Sequence, residues 1–137
     1  MKKLSFILFA ICLTLGSCSS DDKENTQKED LDMLDNMRNE IIQFTQVNSQ
    51  VCNNPEEWGF IKIDAAGCSG NGGYILYSKK VSAATLQNKI EEYNETKGKI
   101  YTKWGIFVDY CAGTTPPTGV KCVNEKPVLS FDNIVFN

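Results

Sequence analysis

The opening of the chain constrains its fold more than any other stretch. Two lysines, Lys2 and Lys3, precede a twelve-residue apolar run from Leu4 to Leu15, and Gly16, Ser17 and Cys18 follow at once. Crossing a bilayer core takes about 20 apolar residues, so this run reads as the core of an export signal and not as a membrane span. Removing residues 1–17 of the 137 leaves 120, enough for one domain and too few for two. Export also fixes the redox conditions of folding, so the cysteines downstream are read first as cross-links.

Leu15-Gly16-Ser17-Cys18 has the form of a lipobox. A branched aliphatic residue is gripped three positions before the cysteine, and the small residues between let the peptidase approach the backbone. Cys18 is therefore the expected lipidation site. A diacylglyceryl thioether with an N-acyl (palmitate-like) chain anchors stably, because each buried methylene contributes ~0.8 kcal/mol and two chains already suffice. Ser19 after the cysteine points to the outer membrane, and the Ser19-Ser20-Asp21-Asp22-Lys23-Glu24 tail resembles the surface-export signal of Bacteroidota lipoproteins. The expected organisation is a signal peptide over 1–17, a lipidated acidic tether over 18–27 and a single domain over 28–137.

Charge follows the same division. Residues 18–50 carry eight Asp/Glu and three Lys/Arg, whereas 51–137 carry nine of each. A neutral domain without a basic cluster lacks the electrostatic footprint that phosphate backbones require, so nucleic acid is not an expected partner. With no polybasic stretch after the signal, acidic head groups have nothing that draws them to the domain by charge. The membrane is expected as a partner through the lipid.

Cys12 leaves with the signal and Cys18 takes lipid, so Cys52, Cys68, Cys111 and Cys122 remain. Four cysteines in a small exported domain predict two disulfides. Of the three pairings, the local one is expected, Cys52 to Cys68 and Cys111 to Cys122. Each bridge then closes a short loop beside a strand.

Thr26-Gln27-Lys28-Glu29 has the pattern of a capping box and starts a first helix. Leu34, Met37, Ile41, Phe44, Val47 and Val51 recur at three- and four-residue intervals, which predicts one apolar face running until Asn53-Asn54-Pro55 breaks it. Strands are predicted from Trp58 to Asp64 and from Tyr74 to Ser78, joined by a glycine-dense loop. A second helix begins after Ser82, carries the stripe Leu86, Ile90, Tyr93, Ile100 and Trp104, and ends at Gly105, with Gly98 weakening its middle. Gly119 to Val123 and Val128 to Phe131 form a second hairpin around Asn124-Glu125-Lys126-Pro127. Short edge strands are placed at 106–109 and 134–136. The expected fold class is α+β, two amphipathic helices packed on one face of a small antiparallel sheet and stapled by two disulfides.

The chain has no histidine. That removes Ser-His-Asp and Cys-His catalysis and the usual zinc sites, and no cysteine stands in a C-x-x-C pair, so neither metal nor cofactor is expected. The loop from Gly67 to Gly73 lacks the Gly-Lys-Ser/Thr ending of a phosphate cradle. Glu56-Glu57 and Glu91-Glu92 are adjacent pairs whose members point different ways, which suits solvated faces better than paired acid catalysis. Asp109 is the acid with the most suggestive neighbours, Tyr110 and Cys111. Asn94-Glu95-Thr96 is a sequon without consequence for a bacterial protein. Trp58 and Tyr74 flank the glycine loop and, with Gly70 and Asn71, are the expected ligand contacts: glycines allow close approach and aromatics supply contact area at low entropic cost.

The lipobox, the Gly-Cys-Ser-Gly-Asn-Gly-Gly-Tyr-Ile-Leu-Tyr-Ser stretch at 67–78, Glu-Glu-Tyr-Asn at 91–94 and Pro116-Pro117 before Cys122 together resemble small uncharacterised Bacteroidota lipoproteins. In those a Cys-Gly-Gly-Pro run precedes a Tyr-Ile-x-Tyr-Ser strand; Ser69 and Asn71 interrupt that run here and its proline is missing. The resemblance spans roughly residues 50 to 131 and implies a shared fold and location, with no activity. The residues favour a non-catalytic binding module that recognises a protein or glycan through the glycine loop and the Pro116-Pro117 loop. An enzyme of unfamiliar type using Asp109 or a glutamate, and a purely structural envelope lipoprotein, stay open as alternatives.

Overall fold

A computed structural model describes residues 25–64, 73–107 and 115–131. Helix α1 spans Gln27–Phe44 and opens with the capping box: the Thr26 hydroxyl accepts the Glu29 N–H at 3.3 Å, and the Glu29 carboxylate accepts the Thr26 N–H at 2.7 Å. The helix stops about two turns before the sequence pattern does, at Phe44 and not beyond Val51. The Thr45 hydroxyl donates to the Ile42 carbonyl at 2.6 Å, and Gln46 adopts φ 60°, a left-handed conformation that no helix continues through. Val47 and Val51 keep the helical spacing by coincidence and lie outside the helix. Pro55 opens a short 3-10 turn, Pro55–Glu57, that leads into β1.

Strands β1 (Trp58–Lys62) and β2 (Tyr74–Ser78) form one antiparallel ribbon, with Trp58 opposite Ser78 and Lys62 opposite Tyr74. Helix α2 follows over Ala83–Trp104, with Ser82 accepting the Thr85 N–H and Gly105 in the left-handed cap conformation at φ 62°. It runs unbroken through Gly98. Strands β3 (Gly119–Val123) and β4 (Lys126–Ser130) make a second ribbon around the two-residue turn Asn124-Glu125, both of positive φ. That is the twist a tight hairpin needs, and it shortens the expected four-residue turn Asn124-Glu125-Lys126-Pro127 to its first two residues, with Lys126 and Pro127 already in β4. Residues 106 and 107 are not in a strand; the rest of the expected edge strands lies outside the described residues.

The class is α+β, as expected, but the strands form two two-stranded sheets and not one. Helices α1 and α2 pack antiparallel: Asp30 near the start of α1 meets Trp104 at the end of α2, and Glu40 lies 4.0 Å from Lys89 further along. Their shared core is Leu34, Ile41, Leu86, Ile90, Tyr93 and Ile100, closed from the sheet side by Ile63. Leu86 is fully buried and Ile63 is 1 % exposed; such a side chain contributes roughly 1.5–3 kcal/mol through burial. Alternation along the first ribbon gives Ile61, Ile75 and Tyr77 to the helices. Tyr77 lies across its partner Gly59, where a Cβ would come within 2.7 Å of the ring.

The second ribbon lies beside the first, β1 nearest β3 and β2 nearest β4. One disulfide fixes this arrangement. Cys52 joins Cys122 across 70 residues, with Cα atoms 5.4 Å apart, and the Cys52 N–H donates to the Glu125 carbonyl at 2.8 Å. The local pairing of Cys52 with Cys68 and Cys111 with Cys122 is thereby corrected. Spacing alone favoured short loops, whereas the segment after α1 is hydrogen-bonded to the turn of the distant second hairpin, which brings Cys52 against β3. Cys68 and Cys111 lie outside the described residues.

Candidate recognition surface

The same alternation puts Trp58, Phe60, Lys62, Tyr74, Leu76 and Ser78 on the side of the first ribbon away from the helices. At the Trp58 end this side is sealed. The Ser78 N–H donates to the Thr45 carbonyl at 2.9 Å, the Ser78 hydroxyl donates to Gln50, and Trp58 is only 3 % exposed. At the other end it opens. Phe60 and Tyr74 meet edge to face, centroids 5.9 Å apart at 74°, and the Lys62 ammonium stands 5.9 Å from the Tyr74 ring.

Beside Tyr74 an open groove of about 390 Å³ runs between β2, β4 and the end of α1, lined among others by Ile42, Tyr74, Leu76, Pro127, Leu129 and Phe131. Its borders are strand edges. The Ile63 N–H bonds the Gly73 carbonyl across the ribbon and the Ser78 N–H bonds outward to Thr45, so by alternation the backbone groups of Tyr74 and Leu76 also point outward. A two-residue turn makes Val123 and Lys126 the first bonded pair of the second ribbon, which turns the Pro127 carbonyl and both polar groups of Leu129 outward too. Pro127 sits where a missing N–H leaves the ladder intact. Among the described residues these outward groups of Tyr74, Leu76, Pro127 and Leu129 have no hydrogen-bond partner.

The base of the glycine loop is held by a charged clamp. Asp64 accepts from Lys97 at 2.6 Å and from Arg38 at 3.1 Å, tying β1 to both helices, and the Asn94 amide donates to the Ile63 carbonyl at 2.8 Å. Burial works to lower the Lys97 pKa. The hydrogen bond and charge of Asp64, with the Tyr93 and Tyr101 rings within 6 Å, outweigh it and leave the ammonium above its ordinary value. Gly73 closes the clamp at φ 79°, its carbonyl accepting the Ile63 N–H at 2.8 Å.

Of the expected contact residues, the structure puts Tyr74 on the groove and corrects Trp58. That indole is buried at the Ser78 end of the ribbon, away from Tyr74 at the Lys62 end, and its N–H has no acceptor among the described residues. Trp58 pairs with Ser78 at one end of the ribbon, whereas Tyr74 directly follows Gly73 at the other. Gly70 and Asn71 lie outside the described residues, as do Cys18 and Asp109. Glu56 and Glu57 are exposed on the 3-10 turn, and Glu91 and Glu92 are exposed on α2, so the two pairs occupy separate elements. Pro116 is exposed and Pro117 buried.

Leu76, Pro127 and Leu129 went unread as site residues because a groove between two ribbons depends on how they pack. The available signal was Pro127 inside an otherwise strand-like run, the mark of an edge. Among the described residues no three metal-ligating side chains cluster, and no helix is long and apolar enough to cross a membrane. No family model, curated protein or solved structure matches this chain.

Proposed function

We propose that the chain is a lipid-anchored envelope lipoprotein, tethered through Cys18 to the outer membrane and displayed at the cell surface, whose small domain binds a ligand without turning it over. The observation that carries the binding reading is the groove bordered by outward-facing edges of β2 and β4. Strand edges offer main-chain hydrogen bonds, and the apolar side chains between them offer pockets for alternate residues, so an extended polypeptide is the ligand they suit best. Phe60, Tyr74 and Lys62 form an aromatic rim with a charged tip at one end. The Cys52–Cys122 bridge supports folding in an oxidising compartment and pre-orders both ribbons, which lowers what binding must spend on ordering them. With Cys52 and Cys122 joined, Cys68 and Cys111 are each other's remaining partners, and a second bridge between them completes the framework.

Photo-crosslinking from Leu76 in intact cells tests this reading. A photoreactive phenylalanine there is expected to yield discrete polypeptide adducts that Leu129→Lys suppresses. Adducts to lipid alone, or polypeptide adducts indifferent to Leu129→Lys, would overturn it.

A further inference from the structure

The end of the domain where the tether leaves carries the most exposed large apolar side chain among the described residues. Asn25, the first described residue, is fastened to the end of α2: its carbonyl accepts from Lys103 at 3.3 Å and its amide donates to Asp30 at 3.2 Å. Asp30 in turn takes the Trp104 indole N–H at 2.9 Å and Lys103 at 3.0 Å. Beyond this knot the left-handed Gly105 turns the chain, the Ile106 N–H returns to the Tyr101 carbonyl at 2.9 Å, and Phe107 emerges 96 % exposed. No other large apolar side chain among the described residues is nearly so exposed, the next being Val51 at 56 %.

We propose that Phe107, with Ile106 and the edge of Trp104, forms a membrane-contacting tip that inserts its aromatic ring into the lipid surface carrying the Cys18 anchor. This rests on the lipoprotein reading. Seven peptide steps separate Cys18 from Asn25, a span of about 25 Å fully extended. That length is an upper bound on the separation, so the domain stays within reach of the lipid, with this end nearest. A single aromatic binds a bilayer too weakly to hold a free protein. Tethering makes the contact intramolecular, and the effective concentration of lipid at the tip then does what affinity does not. The contact is apolar: Asp21, Asp22 and Glu24 in the tether disfavour attraction to acidic head groups, and Lys103 is already held by Asp30. A domain fixed at this end is oriented as well as anchored.

The test uses the mature acylated chain in phosphatidylethanolamine–phosphatidylglycerol vesicles, comparing native protein with Phe107→Trp. At so exposed a position the substitution leaves the fold intact, and the difference spectrum isolates the introduced indole. Lipids brominated near the glycerol are expected to abolish most of the added emission, while aqueous iodide leaves it unchanged. An acylated, vesicle-bound chain whose added emission yields to iodide and not to bromine overturns this inference alone. Shielding from both quenchers means a second copy or another protein covers the tip, and also overturns it. A chain that carries no lipid and stays free of vesicles overturns the anchoring reading and this inference together.

Discussion

Removing the Cys52–Cys122 bridge is the most informative perturbation of this fold. The bond closes 70 residues, and in the chain-entropy account such a loop restrains the unfolded chain by roughly 4 kcal/mol, against about 3 kcal/mol for a loop of fifteen. The double variant Cys52→Ala/Cys122→Ala is the right comparison, because a single substitution leaves a thiol free to exchange with Cys68 or Cys111. Cys52 is 2 % exposed, and alanine there introduces no unsatisfied polar atom. The Cys52 N–H to Glu125 bond involves backbone only, so the variant retains it. The expected loss is about 4 kcal/mol, near the whole stability of many domains this small. In a thermal melt that corresponds to a drop of about 15 °C. Urea unfolding of the mature protein in detergent micelles measures it. The slope of the transition should also steepen, because the released chain exposes more surface when unfolded. A loss below about 1 kcal/mol with an unchanged slope would refute the reasoning, since the two ribbons would then hold their places without the bridge.

Gly73→Ala should cost about 2 kcal/mol or more in the same assay, since φ is 79° and the new Cβ would lie 2.8 Å from the Asp64 carbonyl; Gly105→Ala, at φ 62° with open space around it, should cost only about 1 kcal/mol of left-handed strain. Equal losses at the two positions would contradict that distinction. Hydrogen bonds from Trp104 and then Lys103 hold the Asp30 carboxyl below its ordinary pKa, so its contribution is fully present above the unfolded carboxylate range and disappears as pH falls through the folded value. Asp30→Asn should therefore be less stable than the native chain at neutral pH, and the two should converge as pH falls below about 4; a gap independent of pH would contradict the assignment.

Local chemistry was legible and long-range chemistry was not. Thr26 with Glu29, Ser82 with Thr85 and Gly105 each announce a helix end through groups within a few residues, and the structure follows them. Tyr74–Ser78 and Gly119–Val123 match the alternation because strand pattern and hairpin partner are both close in sequence. The end of α1 is not legible in the pattern, because Val47 and Val51 preserve helical spacing by chance, while Thr45 and Gln46, whose side chain and backbone end the helix, carry no apolar signal. Disulfide pairing and the groove between β2 and β4 both depend on where the second ribbon lands against the first. Its position is set by contacts 70 residues apart, which spacing along the chain does not encode. Asp30 illustrates the same limit: it resembled any first-turn acid, yet in the fold it is nearly buried and tied to Trp104 and Lys103, 74 and 73 residues away.

The proposed export, lipidation at Cys18 and cross-linking by disulfides are all read at once in the intact mass of the protein isolated from membranes. The predicted species begins at Cys18, carries a diacylglyceryl group with an N-acyl chain, and is lighter by four hydrogens than the fully reduced chain. An unacylated species, a start elsewhere than Cys18, or a mass that requires free thiols at Cys52 and Cys122 would contradict them.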